Sequence, residues 1–361
     1  MKNKKKFVYE SSFLSSAARV RIEENRDLKN GICLNRNERV EHYPKNILSS
    51  IFKDVKNYEL GLYPNQSRIY LALENFLKIK KQNFLLSSGI DGSLKSIIEI
   101  FLKKGDKVSF IEPSYAMYGV YSKIYKLKAK VIDYDNNNLK LNKKKIYRLI
   151  RNGIKVLFLP NPNQPIEDNF SLSEITKLCK LCKKYKVLLV IDEAYYMFGS
   201  VTAIKLIKKF SNLLILRTFS KSFGLPSVRL GYIVGDKKII SILNSYRLSY
   251  ESNLLSDSAV IYFLKNIKLV KNYIQKVIKG RDYFKNNILK LGIKVIGGKS
   301  NFLLLQFDSR LTAMRIYTIL LENKIYVKGN YSQPLTNCIL LTCGPINIMR
   351  KVLNVIKNNI L

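Results

Sequence analysis

Two apolar stretches end on side chains that can do chemistry. KVLLVIDEAYYMF, residues 186–198, runs out on Asp192, with Tyr195 three positions later. NLLILRTFSKSFGLPSVRLGY, residues 212–232, opens into Thr218, Ser220 and Lys221, turns at Gly224 and resumes at Arg229. An amine among small hydroxyls, with an arginine, a carboxylate and a phenol to hand, can hold an anion and move protons. Each piece also has a plainer use. Asp192 can cap the turn that follows it, and Lys221 can be one exposed loop lysine in a lysine-rich chain.

The remaining inventory narrows the chemistry. The single histidine, His42, leaves no His cluster for zinc and no Ser-His-Asp or Cys-His relay, so acid–base work falls to Lys, Tyr, Asp or Glu. No metal is expected. The five cysteines, Cys33, Cys179, Cys182, Cys338 and Cys343, read as reduced thiols. Cys179 and Cys182 form a C-x-x-C, yet in SLSEITKLCKLCKKYKV they share helical spacing with Leu172, Ile175 and Leu178. That spacing makes them core positions rather than a redox pair or half a zinc site.

These side chains need a frame to hold them. Apolar runs at 83–88, 107–113, 128–135, 155–160, 186–193, 212–220 and 229–235 read as strands. Amphipathic helices fall between them at 91–104, 116–127, 143–153 and from Ser171 onward. Strands that are apolar throughout, separated by helices, imply an α/β fold with a mostly parallel sheet covered on both faces. Ligands of such sheets sit beyond the carboxyl ends of the strands, where Asp192 and Lys221 lie. After about residue 257 the pattern changes. A long helical stretch leads to short strands at NFLLLQF, IYVKG and CILLTCG, with helices near 312–323 and 347–360. The expected division is a large domain at 50–256 and a small α+β domain built from 1–49 with 257–361.

With 361 residues, 47% of them hydrophobic, the chain can build two cores. It has no apolar run of about eighteen residues, the length a membrane span needs. The start, MKNKKKFVYESSF, is basic but not followed by an apolar signal segment, so a cytoplasmic location is expected. Lys and Arg number 63 against 26 acids, a formal +37. The lysines are dispersed along the helices and arginine, which supplies the forks that read bases, is scarce. The charge therefore reads as a residue-usage bias, and no nucleic-acid partner is expected.

Taken together, the segments resemble the class I/II aminotransferases of pyridoxal-phosphate (PLP) fold type I, most closely the histidinol-phosphate type, from ICLNRNERV (32–40) to the C-terminus. The resemblance implies a large domain with a seven-stranded sheet, a homodimer with shared active sites, and PLP as cofactor. In SKSFGLPSVRLGY it implies Lys221 as the Schiff-base lysine and Arg229 as a phosphate ligand, with Thr218 and Ser220 beside the phosphate. DEAYYMF gives Asp192 to the pyridine nitrogen and Tyr195 to the ring hydroxyl. EPSYAMYGVY supplies Tyr115 to stack on the ring. SSGIDGS supplies Gly89, Ile90 and Asp91 at a helix start that holds the phosphate. ELGLYPNQS supplies Tyr63, reaching the phosphate of the neighbouring subunit. The implied reaction moves an amino group between an amino donor and a keto or aldehyde acceptor. The alternatives are a PLP decarboxylase or lyase on the same fold, and a non-catalytic basic binding protein that keeps the fold.

The chain departs from the family pattern twice. In place of N-P-N-N-P-T-G stands Asn161-Pro162-Asn163-Gln164-Pro165-Ile166-Glu167, so Gln164 takes the place of an asparagine at the ring hydroxyl and the turn must close differently. In place of L-R-I-T-x-G stands Ile339-Leu340-Leu341-Thr342-Cys343-Gly344, so Leu340 replaces a substrate-gripping arginine. The resemblance then leaves Lys328, in IYVKGNYSQP, as the substrate-binding cation, a point charge where a fork is usual. Arg310, Arg315 or an arginine of a second subunit are the other sources of that grip.

Overall fold

The computed structural model describes residues 26–360. Its main sheet has seven strands: β2 (Phe84–Ser87), β3 (Lys107–Glu112), β4 (Lys128–Asp133), β5 (Val156–Pro160), β6 (Leu188–Asp192), β7 (Leu213–Thr218) and β8 (Gly231–Gly235). They lie in the order β2-β8-β7-β6-β5-β3-β4. Every pair from β7 across to β4 is parallel, and β8 alone runs against its neighbours β7 and β2. The mostly parallel sheet implied by the sequence is therefore present, with one reversed strand.

The period-two alternation of the apolar strands sends side chains to two different cores. Leu85, Val108, Phe158, Val190 and Leu216 face one side, covered by Leu94, Ile97 and Ile98 of α3 (Gly89–Phe101) and by Ile240 and Leu243 of α7 (Lys237–Ser245). Leu157, Leu189, Ile191 and Ile215 face the other, against α5 (Lys143–Arg151) and α6 (Leu172–Lys184). Cys179 and Cys182 are buried in that second layer, where burial pushes both thiols up to about 12. They are core side chains. Helix α6 starts at Ser171, which accepts from the Glu174 amide while Glu174 reaches back to the Ser171 amide, a reciprocal cap.

The carboxyl ends of β3, β5, β6 and β7 all reach the same edge of the sheet, and β2, parallel to β7 through β8, ends there too. The connections from that edge lead into α3 after β2, into α4 (Met117–Ile124) after β3, and across residues 161–171, 193–203 and 219–230 after the other three.

The chain before β2 supplies β1 (Ile32–Cys33), α1 (Ile47–Phe52) and α2 (Ser67–Leu77). After β8 come α8 (Leu254–Lys265) and α9 (Ile267–Leu289), then β9 (Lys294–Ile296), β10 (Phe302–Gln306), α10 (Arg310–Glu322), β11 (Ile325–Tyr326), β12 (Cys338–Thr342) and α11 (Ile346–Lys357). The long helical stretch expected past residue 257 is two helices, broken at Asn266. There the Asn266 amide makes the last i→i−4 bond of α8, to the Tyr262 carbonyl, and the Asn266 backbone, φ −106° and ψ 44°, leaves the helical region before α9 begins. The strand expected at IYVKG is shorter than its apolar pattern. Ile325 and Tyr326 pair in parallel with Ile32 and Cys33, while Lys328 makes an isolated antiparallel bridge to Leu340. β12, β10 and β9 form an antiparallel three-stranded sheet.

Candidate active site

A cavity of about 1040 Å³ opens at the carboxyl edge of the main sheet. Twelve of the thirteen site residues named from the sequence line it: Gly89, Ile90, Asp91, Tyr115, Gln164, Asp192, Tyr195, Thr218, Ser220, Lys221, Arg229 and Lys328. The thirteenth, Tyr63, does not. It is 80% exposed and stacks on Tyr250 with ring centroids 4.6 Å apart. Within this chain it lies outside the cavity lining. His42 is exposed and lies outside the cavity.

Lys221 follows β7, on a loop held by Thr218 Oγ1, which donates to Ser220 Oγ at 3.0 Å and accepts from the Ser220 amide at 3.1 Å. Its Nζ donates to the Arg36 carbonyl at 2.9 Å and the Asn37 carbonyl at 3.3 Å. Burial lowers the amine to about 8, against the opposing pull of Glu38 and Asp192, with Arg229 lowering it further. A desolvated amine of this kind spends a useful fraction of its time neutral near physiological pH.

Asp192 closes β6 and is 7% exposed. One carboxylate oxygen accepts from the Ala194 amide at 3.0 Å, the other from the Tyr118 hydroxyl at 2.8 Å. Burial raises this acid to about 6 even though both hydrogen bonds pull the other way. Desolvation dominates because the carboxylate itself is almost wholly buried, so a cation brought against Asp192 would offset that cost.

Arg229 takes a left-handed backbone, φ 54°, and anchors one guanidinium nitrogen on the Pro226 carbonyl at 3.0 Å. Gly89 opens α3 with φ 70°, and a Cβ there would lie 3.6 Å from the Arg229 guanidinium. Gly231 packs against it so closely that a Cβ on Gly231 would come within 2.9 Å of Gly89 Cα. The first amides of α3 have no intrahelical partners by helix geometry, and they share the cavity wall with Arg229, Thr218 and Ser220. This is an anion cradle of backbone and side-chain donors together.

Tyr195 is buried, accepts from Asn37 Nδ2 at 3.0 Å and donates to Gln164 Oε1 at 3.3 Å. The Tyr115 hydroxyl donates to Asp91 at 2.6 Å, which fixes its ring beside the start of α3. The unusual turn after β5 is closed from outside. Ile166 is buried, and Glu167 accepts from the Gly298 and Lys299 amides at 3.2 and 2.8 Å and from the Ser300 hydroxyl. A carboxylate clasp thus stands where the family turn closes on itself.

The model for the family described as aminotransferase class I and II matches residues 65–356. The chain belongs to this family. It is 33% identical over 294 residues to the histidinol-phosphate aminotransferase of Ruminiclostridium cellulolyticum, covering 79% of this chain and 80% of the relative. The solved structure of histidinol-phosphate aminotransferase from Sinorhizobium meliloti in complex with pyridoxal-5'-phosphate matches the fold with a TM-score of 0.81 at 19% identity, covering 91% of this chain and 92% of that one. The histidinol-phosphate aminotransferase structure from Clostridium acetobutylicum matches with a TM-score of 0.80 at 24% identity, over 91% and 98% of the two chains. The chain is accordingly a PLP-dependent aminotransferase of fold type I. The donors of its cavity fit PLP: an anion cradle, a desolvated amine and a buried carboxylate suited to a cation line one space.

Three parts of this aminotransferase site are not singled out by the sequence. Tyr118, three residues past Tyr115 on α4, reads as one aromatic core position among many; it is 2% exposed and bonds Asp192. Asn37, in ICLNRNERV, bonds Tyr195 across 158 positions. Glu193 and Arg217, both buried, form an ion pair directly behind the two chemical strand ends, in which Arg217 Nε and Nη2 both donate to Glu193 Oε2, at 3.0 and 2.9 Å. Only the adjacency of Glu193 to Asp192 hints at the last of these.

Proposed function

We propose that this aminotransferase carries PLP on Lys221 and acts on histidinol phosphate or a phosphorylated amine much like it, as a cytoplasmic homodimer. The observation that carries the reading is the meeting of Lys221, Asp192, Arg229 and the start of α3 around one cavity. The similarity to curated histidinol-phosphate aminotransferases supports the substrate class. When bound, PLP supplies a carbonyl carbon for amino-group exchange and a ring that withdraws electrons from it.

The chain's own residues do the rest. Lys221 Nζ would hold the cofactor covalently and, with the substrate amine in its place, would be the base that moves the substrate's α-proton from Cα to the cofactor's carbonyl carbon. Asp192 keeps a proton at the pyridine nitrogen by charge pairing in a desolvated site. Arg229, Thr218, Ser220 and the amides of Gly89, Ile90 and Asp91 would hold the phosphate, and Tyr115 would offer its flat face to the ring. Tyr195 and Gln164 hold the ring hydroxyl. Their own hydrogen bond supports Gln164 as a working stand-in for asparagine.

The dimer is supported by the surface around Tyr63. Tyr58, Leu60, Leu62 and Tyr63 are all more than 60% exposed, as are Tyr246 and Leu248. The Tyr63–Tyr250 stack joins the two segments into one apolar shelf. The segment NYELGLY contains no lysine in a chain of net charge +37. Among the described residues no helix is long and apolar enough to cross a membrane.

Borohydride reduction of the PLP-loaded protein, followed by peptide mapping, tests the assignment. Label on the Lys221 peptide, absent from Lys221→Ala, is expected; label on another lysine overturns it. Turnover of histidinol phosphate with a keto-acid acceptor tests the substrate.

A further inference from the structure

We infer that Arg36, with Lys328 beside it, is the grip for the acidic end of the substrate, and that the substrate therefore carries an oxyanion, a phosphate monoester or a carboxylate. The inference rests on the function proposed above and specifies which residues of the same cavity select the substrate.

Four basic side chains line the cavity: Arg36, Lys221, Arg229 and Lys328. Lys221 is the reacting amine, and Arg229 stands at the Gly89 cradle. Arg36 and Lys328 remain, and the fold brings their backbones together. Ile32 and Cys33 pair with Ile325 and Tyr326, and the Leu34 amide continues the ladder by donating to the Tyr326 carbonyl at 2.7 Å. The two strands are parallel, so Arg36 and Lys328 leave the ladder from the same end. Lys328 is pinned there by hydrogen bonds in both directions with the Leu340 backbone, at 2.9 and 2.8 Å. The Arg36 carbonyl accepts from Lys221 Nζ at 2.9 Å, which places the Arg36 backbone beside that amine. Its side chain thus starts one residue's width from the amine that the substrate displaces.

The other places for a grip are closed. Leu340 has no exposure and belongs to the apolar core, so an arginine substituted there would have to be buried before it reached the cavity. Arg310 and Arg315 lie on α10, outside the cavity, with Arg315 turned to the Asn359 carbonyl at 3.0 Å. A guanidinium from the segment that follows β1 therefore takes over what strand β12 does not provide, and its fork suits two oxygens of one anion.

The test uses PLP-loaded protein and the pair histidinol phosphate and histidinol, with wild type, Arg36→Gln, Arg36→Lys, Lys328→Gln and the double glutamine variant. Arg36→Gln is expected to lower the kcat/KM preference for the phosphorylated member roughly ten- to a hundred-fold, chiefly through KM. Arg36→Lys should recover part of that preference, and the double variant should lose most. Equal losses on both substrates, or an unchanged preference, would overturn the grip. Calorimetric titration of the loaded proteins with methylphosphonate separates this from failure of the function proposed. If wild type turns over neither amine yet binds the phosphonate in an Arg36-dependent way, the substrate assignment falls and the grip stands. Phosphonate binding that is absent, or indifferent to Arg36, removes the grip.

Discussion

At the scale of single residues, the site is a set of groups pushed off their usual protonation behaviour by burial. Tyr118 is the main restraint on Asp192, being the largest influence that lowers an acid that burial nonetheless raises to about 6. A hydrogen bond to a charged group contributes about 1.5–3 kcal/mol. Tyr118→Phe is therefore expected to raise the Asp192 titration further, followed by carboxyl-carbon NMR of the cofactor-free protein. An unchanged midpoint would reduce Tyr118 to packing. Lys221 shifts in the opposite sense. With its amine at about 8 rather than 10.5, roughly one molecule in ten is neutral at pH 7, where an unperturbed lysine has fewer than one in a thousand. Competitive acylation of the cofactor-free protein should label Lys221 with a midpoint near pH 8, rising with pH, while surface lysines lag by about two pH units. A midpoint near 10 would remove the desolvation account.

At the scale of elements, packing depends on a few close approaches. The tightest is on α9, where a Cβ on Gly280 would meet the Gly344 carbonyl oxygen at 1.9 Å and the Pro345 carbonyl carbon at 2.9 Å. All these neighbours are backbone, so they cannot rotate away. Gly280→Ala is expected to cost at least about 1–3 kcal/mol, the range for overpacked cores, read as a lower denaturant midpoint at constant slope. A variant as stable as wild type would mean that α9 slides freely over the β12–α11 corner. The same scale shows what was legible beforehand. The strands β5, β6 and β7 were readable because they are apolar on both faces and bounded by turn residues. Asp192, Lys221 and Arg229 were readable because they sit at fixed offsets from those strands. Asn266 was not, since a break confined to the backbone of one residue leaves no trace in the apolar pattern. Nor were Asn37 and Tyr118, whose roles come from contacts between elements far apart in the chain.

At the scale of the whole molecule, charge and shape pull differently. Two copies of a chain of net charge +37 repel each other, while the lysine-free shelf around Tyr63 favours their contact. Added salt screens the repulsion and leaves apolar burial in place. The homodimer proposed above is thus expected to tighten between low and physiological ionic strength, by sedimentation equilibrium, and Tyr63→Asp should weaken it. A monomer at all salt concentrations would remove Tyr63 from the neighbouring site. Mixed Tyr63→Phe and Lys221→Ala subunits would then fail to restore activity.

The Glu167 clasp extends past its own turn. It fastens the stretch that presents Gln164 to residues 298–300, which lead straight into β10, and β10 pairs with β12, whose Leu340 holds Lys328. Gln164 and Lys328, at separate points on the cavity wall, are therefore two ends of one mechanical linkage. A pull at the anion end is expected to reach the tip of Tyr195 through these contacts. An unreactive anion such as methylphosphonate should slow amide exchange at Gly298 and Lys299, and Glu167→Ala should cut that transmission while leaving the anion bound.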